Sequence, residues 1–349
     1  MSTWELLAEL PLQIDGYELE PLQTAFSSEF VRKTTVIHLH GNGEEGVGED
    51  VTYAAEDQEA LQRSATTLPL TGSFTIASFA ERLRSLDLFP LPTQRPEFRL
   101  YRNWAFDSAA LDLALRQGGA TLHAVLGREP RPVTFVASLR LGEPPSIAPV
   151  KRRLEIAPGL RFKLDPTPSW DDELITELVA LGAVDSVDLK GQYEGTIVDN
   201  PADPALYRRI VDAFPDAWIE DPKLTEETEP ILADHHERIT WDAPIHGVAD
   251  IEALPFPPRT LNIKPSRLGG LRSLLDTYDH CAAHDISTYG GGQSELGPGR
   301  GQIQYLASLF HPDTPNDVAP AGFNLPDPPA DLPSSPLAPA PSPVGFRWG

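Results

Sequence analysis

The sequence predicts an α/β protein: a parallel β/α barrel preceded by a smaller α+β domain. Four strand-like runs end in charged residues: SVDLK at Asp188–Lys190, AWIED at Glu220–Asp221, RITWD at Asp242 and TLNIK at Lys264. Positions 188, 220, 242 and 264 lie 32, 22 and 22 residues apart, about one βα unit per step. Charged strand tips at that period converge on one pocket at one end of a parallel barrel. Strand-like and helix-like segments also alternate between residues 132 and 310, the pattern of α/β proteins.

The elements follow in order. Residues 1–30 read as mixed and loop-like. The stretch VRKTTVIHLHGNGEEGVGED reads as a hairpin, with an alternating run Thr35–Leu39, a turn His40–Gly46 and a return Val47–Val51. FTIASFAERLRSL (74–86) has helical spacing. So does RNWAFDSAALDLALRQGG, which Gly118 and Gly119 close. These make the α+β domain. PVTFVASLRL (132–141) and LRFKLD (160–165) read as strands. Ser169 and Asp172 resemble a capping box opening the next helix. SVDLK, a helix DPALYRRIVDAF, AWIED, RITWD and TLNIK follow, then a helix near 270–283, a strand ISTYGGG and a helix 299–310. Beyond about residue 312 proline dominates, and that tail reads either as polyproline-like or disordered, or as a strap that wraps the barrel through Phe346 and Trp348.

Composition narrows the class. The chain has 349 residues, 28 Lys and Arg against 51 Asp and Glu, and a net charge of −23. That balance argues against a nucleic-acid partner, which would need a basic surface. It leaves room for a small anionic substrate beside a local metal ion. No apolar run has the length of a membrane span, and the start MSTWELLAEL lacks a leader pattern, so a cytoplasmic protein without a membrane partner is expected. The single cysteine, Cys281, falls on an apolar helix stripe and reads as a buried thiol.

The spacing permits specific chemistry. Asp188, Glu220 and Asp242 from three adjacent strands can meet at one point. Three carboxylates without cysteine or paired histidine favour Mg²⁺ over Zn²⁺. Lys264 comes from the next strand and would lie beside a metal-bound substrate as a general base. Bland alternatives exist for each: a lone strand-end aspartate is often an N-cap, Asp165 before Pro-Thr-Pro can start a turn, and Lys264 can be a surface ion-pair partner. His38 and His40 in the hairpin, and His235 with His236 in a connection, read as solvated side chains rather than ligands.

With these residues in view, the chain resembles the enolase superfamily, in its muconate-lactonizing and o-succinylbenzoate-synthase-like branch. TTVIHLHGNGEEGVGED resembles the capping domain's strand-turn-strand, and FDSAALDLALRQGGATLHAVLG the helix leading to the barrel. WIEDP resembles the fourth-strand metal glutamate, LNIKPSRLGG the sixth-strand lysine motif, and YGGGQSELGPGRGQIQYLASLF the late-strand segment. The resemblance implies a modified TIM barrel, (β/α)7β-like, with an N-terminal capping domain. It divides the chain into 1–128 (capping domain), 129–315 (barrel) and 316–349 (Pro-rich tail). It implies Asp188, Glu220 and Asp242 as Mg²⁺ ligands, Lys264 as acid/base and Glu295 as a carboxylate near that lysine. It also implies that a capping loop, here the turn Asn42–Gly46, closes the pocket.

Two departures stand out. Relatives carry Lys-x-Lys on the second strand, where Lys163-Leu164-Asp165 is read here with aspartate at the second lysine's place. Relatives carry Asp-x-Asn on the third, where Asp188-Leu189-Lys190 stands. A pair between Asp165 and Lys190 follows as an expectation, with the second-strand lysine in effect moved one strand over. A second register takes Asp165 as first metal ligand, but it leaves SVDLK unused. The implied function is a Mg²⁺-dependent isomerase or lyase that removes the proton α to a carboxylate and holds an enediolate on the metal. It would be a racemase or epimerase, dehydratase, cycloisomerase or o-succinylbenzoate-synthase-like enzyme. Its residues would be Lys264, Lys190, Lys163, Asp165 and Glu295, acting on a small carboxylate substrate, and a homo-oligomer is compatible with it. The competing readings are a catalytically inactive barrel serving as a scaffold, and a glycosidase using Glu220 and Asp242.

Overall fold

The computed structural model describes residues 2–26, 30–64, 67–196 and 198–349. In the N-terminal domain, β1 (Pro11–Ile14) is followed by β2 (Gly16–Ala25), β3 (Val31–Gly41), β4 (Glu44–Asp50) and β5 (Gly72–Thr75). β2, β3 and β4 form an antiparallel meander, and β1 pairs with β5. The strands β1 and β2 correct the loop expected over 1–30; residues 1 and 27–29 of that stretch lie outside the described residues. β2 covers its sheet with one face only, so its residues alternate between half-buried and exposed, and few are strongly apolar.

β3 and β4 pair in a register that sets Gly41 opposite Glu44. The loop is therefore only Asn42–Gly43, with φ of 52° and 78°, a left-handed turn suited to Asn-Gly and tighter than expected. The run Gly46-Val47-Gly48-Glu49 then has two physical roles. A Cβ on Gly46 would lie 2.3 Å from the Ala109 carbonyl, and one on Gly48 would lie 2.0 Å from that of Ala105. Both glycines are absent side chains that let the helix Phe98–Gln117 lie directly on β4. Glu49 reaches the other way and accepts from the Leu296, Gly297 and Gly299 amides at 2.6, 3.0 and 3.0 Å. It thereby caps the helix Pro298–Phe310 and ties the two domains.

The barrel strands are β6 (Val136–Leu139), β7 (Arg161–Leu164), β8 (Val184–Asp188), β9 (Trp218–Glu220), β10 (Ile239–Trp241), β11 (Thr260–Ile263) and β12 (Ser287–Gly290). They form one parallel sheet in which each pairs with its sequence neighbours. An eighth segment closes the ring: Asn316 bridges Phe135 and Asp317 bridges Gly291, both parallel. The Val136 amide donates to Asn316 O at 2.8 Å, and the Asp317 amide to Gly290 O at 2.8 Å. His311 braces this segment, with Nδ1 2.6 Å from Asn316 Oδ1.

The strands alternate with period two. Phe162, Leu164, Val187, Ile219, Trp241, Leu261 and Ile263 belong to the apolar core. Between them stand buried Lys163, Ser186, Asp188, Glu220, Thr240 and Asn262, with Asp242 and Lys264 just past their strand ends. The helix expected to open at Ser169 opens instead at Asp172, because Asp171 takes the cap by accepting from the Leu174 amide at 2.8 Å. The tail is packed against the rest of the chain. Arg153 donates to Phe323 O and Leu325 O, Leu337 pairs with Val133, and Phe346 is fully buried. Arg347 bonds Asp112 at 2.7 Å and the Glu45 carbonyl at 2.7 Å. No described helix is long and apolar enough to cross a membrane.

Replacing Gly48 with alanine should force the long helix off β4. A loss of about 3 kcal/mol is expected, read as a fall in the urea midpoint with an unchanged slope.

Candidate active site

The strand ends deliver the site. Registers place Asp188 opposite Glu220 on adjacent strands. Both side chains are fully buried, as are Asp221 and Asp242. Ligand oxygens of Asp188, Glu220 and Asp221 lie within 4.8 Å of one another. Asp242, which the resemblance implies as the third ligand, is buried with them, and its oxygens contact neighbouring side chains. Lys264 Nζ is 2.7 Å and Arg267 Nε 3.2 Å from them, and the Tyr193 hydroxyl donates at 2.8 Å.

Asp221 escapes a reading by strand alternation, because the residue after Glu220 should face away. The chain leaves the strand there with φ of 48°, which turns Asp221 back. Its carboxylate accepts from the Asp242 and Ala243 amides at 2.8 and 2.9 Å.

Lys163 lies at the centre. Its ammonium contacts Glu220, stands 3.1 Å from Asp188 and 3.7 Å from Asp317. The second-strand lysine thus remains in the site, while Asp165, two residues on, lies beside Lys190 and Arg140 at 3.9 and 3.7 Å. Lys190 contacts Asp188. Glu295 is buried, where it accepts from the Gln293 amide at 2.6 Å and pairs with Arg300 at 3.0 Å. The Asn42–Gly43 turn is the far end of its hairpin. The opposite end reaches the barrel mouth, where Arg32 donates to Gln293 O at 2.9 Å and stacks over Tyr53.

Residues that motif reading passed over enclose Glu220. Tyr289 donates to it, and Asn262 stands at 3.3 Å. Period two would have found Asn262, two residues before Lys264. Nothing local marks Asp317, which tertiary closure alone brings in. So enclosed, Glu220 lacks the access a glycosidase acid needs.

Electrostatics follow from burial. Burial, reinforced by Asp188 and Asp242, pushes the Glu220 carboxyl up to about 8 against the pull of Lys163. Burial with Asp242 and Asp188 pushes Asp221 up to about 7. Asp188 goes the other way: burial opposes, but Lys190 and Lys163 hold it well below the carboxylate range. Burial would likewise lower Lys163, yet Glu220 and Asp188 outweigh it and keep the ammonium charged. Acids outnumber bases, since Asp165, Asp188, Glu220, Asp221, Asp242 and Asp317 face Lys163, Lys190, Lys264 and Arg267. Oxygen-only donors suit a hard divalent cation. Asp242 Oδ1 also lacks a hydrogen-bond partner. A cleft of about 630 Å³ between helices Ile76–Arg84, Phe98–Gln117 and Leu271–Ala283 contains none of these residues.

Comparison with known proteins agrees with this geometry. Residues 5–125 match the family described as Domain of unknown function (DUF8230) N-terminal domain, and residues 129–325 match its C-terminal domain. The chain is 27% identical to an N-succinylamino acid racemase of an Amycolatopsis species over 332 residues, covering 88% of this chain and 86% of that protein. It is 29% identical to the o-succinylbenzoate synthase of Geobacillus stearothermophilus over 229 residues, covering 62% of this chain and 58% of that one. The dipeptide epimerase of Enterococcus faecalis V583 superposes with a TM-score of 0.69 at 17% identity, covering 96% and 99% of the two chains. Muconate cycloisomerase of Pseudomonas fluorescens superposes at 0.65 and 18%, covering 97% and 95%. Fold, site and relatives define an enzyme of the enolase superfamily, of isomerase or lyase type. Within it, the chain belongs to the DUF8230 family.

A pH signature follows. Glu220 and Asp221 bind protons in the fold that the unfolded chain has released by pH 6.5, so both contributions to stability fall as pH rises through about 7 and 8. Added Mg²⁺ should raise the melting temperature, and by more at pH 8 than at pH 6.5, because protons must leave first. Glu220→Gln should abolish the increment in thermal scans.

Proposed function

We propose that this protein removes the proton α to the carboxylate of a small carboxylic acid and returns a proton, or expels a leaving group, on the opposite face. One observation carries the reading. Lys163 and Lys264 come from the second and sixth strands of a ring closed by an eighth segment, so they stand on opposite sides with the carboxylates between. Such a pair can take a proton on one face and deliver one on the other. Lys264 is oriented by Asp242, and Lys163 by Glu220 and Asp188.

Asp188 and Glu220, with Asp221 or Asp242, would hold Mg²⁺. The cation would supply positive charge against the charge that builds on the substrate carboxylate. The relatives' names span racemases, epimerases and synthases, so one deprotonation with several outcomes is the common denominator. An inactive scaffold is disfavoured, because buried charges of this number cost stability that a scaffold has no reason to spend.

The test is solvent exchange. With Mg²⁺ in D₂O, the protein should exchange α-protons in some member of a set of N-acyl amino acids, dipeptides and β-hydroxy acids. Lys163→Met and Lys264→Met should each slow it about 10²–10⁴-fold. In a racemase, each variant should retain exchange from one enantiomer only. No exchange across the whole set would sink the proposal.

A further inference from the structure

Lys190 stands outside the pair of lysines that the proposed chemistry uses, yet it is seated on Asp188. Its side chain is only 13% exposed. Its φ is 54°, a left-handed conformation unfavourable for a lysine. The fold enforces this turn. The Lys190 amide donates to Asp188 Oδ1 at 3.1 Å, and the Gly191 amide donates to Asp221 O at 2.9 Å. A Cβ on Gly191 would lie 2.5 Å from the Lys223 amide, so the chain after Lys190 is pressed against the next loop. The turn folds the Lys190 side chain back, and its ammonium contacts Asp188 Oδ2. Lys163 reaches the same oxygen at 3.1 Å. One carboxylate oxygen is thus shared by two ammonium groups.

A second acceptor waits beside it. Asp165 Oδ1 is 3.9 Å from Lys190 Nζ, too long for a hydrogen bond. That oxygen is buried without a hydrogen-bond partner. A buried carboxylate oxygen left unpaired is costly unless some state of the protein satisfies it.

We propose that Lys190 is a tethered competitor for the cation site, and that Asp165 is where its ammonium rests when the cation is bound. This rests on the assignment of Asp188 to a divalent cation. A cation there needs the oxygen that Lys190 covers, and it repels an ammonium at that distance. Rotation of the lysine side chain closes the gap to Asp165 without moving the backbone. Asp165 is then a positioning residue that acts through Lys190. The opposite charges on neighbouring strands are two halves of one device, which sets how tightly the cation is held.

Calorimetric titration with Mg²⁺ tests this on the full chain and its Lys190→Met, Lys190→Asn, Asp165→Asn and Asp165→Asn/Lys190→Met variants. Asparagine tolerates the left-handed turn, which guards against a folding defect in the methionine variant. Removing the lysine should tighten Mg²⁺ binding about 10-fold, and Asp165→Asn should weaken it about 10-fold, the range for groups one step from a metal ligand. The double variant should bind like Lys190→Met, because Asp165 acts only through the lysine. Binding no tighter without Lys190 overturns the proposal, and so does an Asp165 effect of equal size with and without it. If Mg²⁺ binds all five proteins equally, the cation assignment stands and only the role of Lys190 falls. If it binds none of them, both fall.

Discussion

The contact of Lys163 with Glu220 and Asp188 is the interaction on which the rest of this structure turns. Ions removed from water cost several kcal/mol each unless geometry and hydrogen bonds compensate. The barrel places a whole layer of them at its mouth, so each must find a partner from another strand. Lys163 from β7 reaches across to β9, Lys264 reaches Asp242 past β10, and Asn262 and Tyr289 reach Glu220 from β11 and β12. Register is consequently not free: a one-residue slip in any strand would bury a charge against an apolar helix face.

That constraint extends to the ends of the chain. The ring is incomplete with seven strands, and the segment that closes it lies at the start of the Pro-rich tail. The closure brings Asp317 to Lys163, and the tail then runs on to the capping domain, where Arg347 grips Asp112 and Glu45. The capping domain returns to the mouth through Glu49 and Arg32, which hold the loop after β12. Site, cap and tail therefore form one mechanical loop. Proline suits this tail because it crosses the surface with few ladder hydrogen bonds to lose.

Much of this was legible in sequence where one residue type has one physical use. Charged tips at a βα period marked β8 to β11, and the alternating run Thr35–Leu39 with its return Val47–Val51 marked the hairpin of β3 and β4. Legibility failed where a local pattern had two solutions. Ser169 and Asp171 both could cap the same helix, and only the turn geometry favoured Asp171. Asp221 stands beside Glu220 in AWIED, but strand alternation, which ceases one residue earlier, does not say that it turns back to the site.

The sequence by itself determined the class of fold, the order of its strands and the inventory of charges at their tips, because periodicity and turn chemistry are local. Tertiary structure alone decided which charges meet. Closure of the ring set Lys163 opposite Lys264 and drew Asp317 in, while two left-handed residues, Lys190 and Asp221, re-aimed their side chains at the site. Those outcomes depend on contacts between residues far apart in the chain and on backbone angles that composition does not encode.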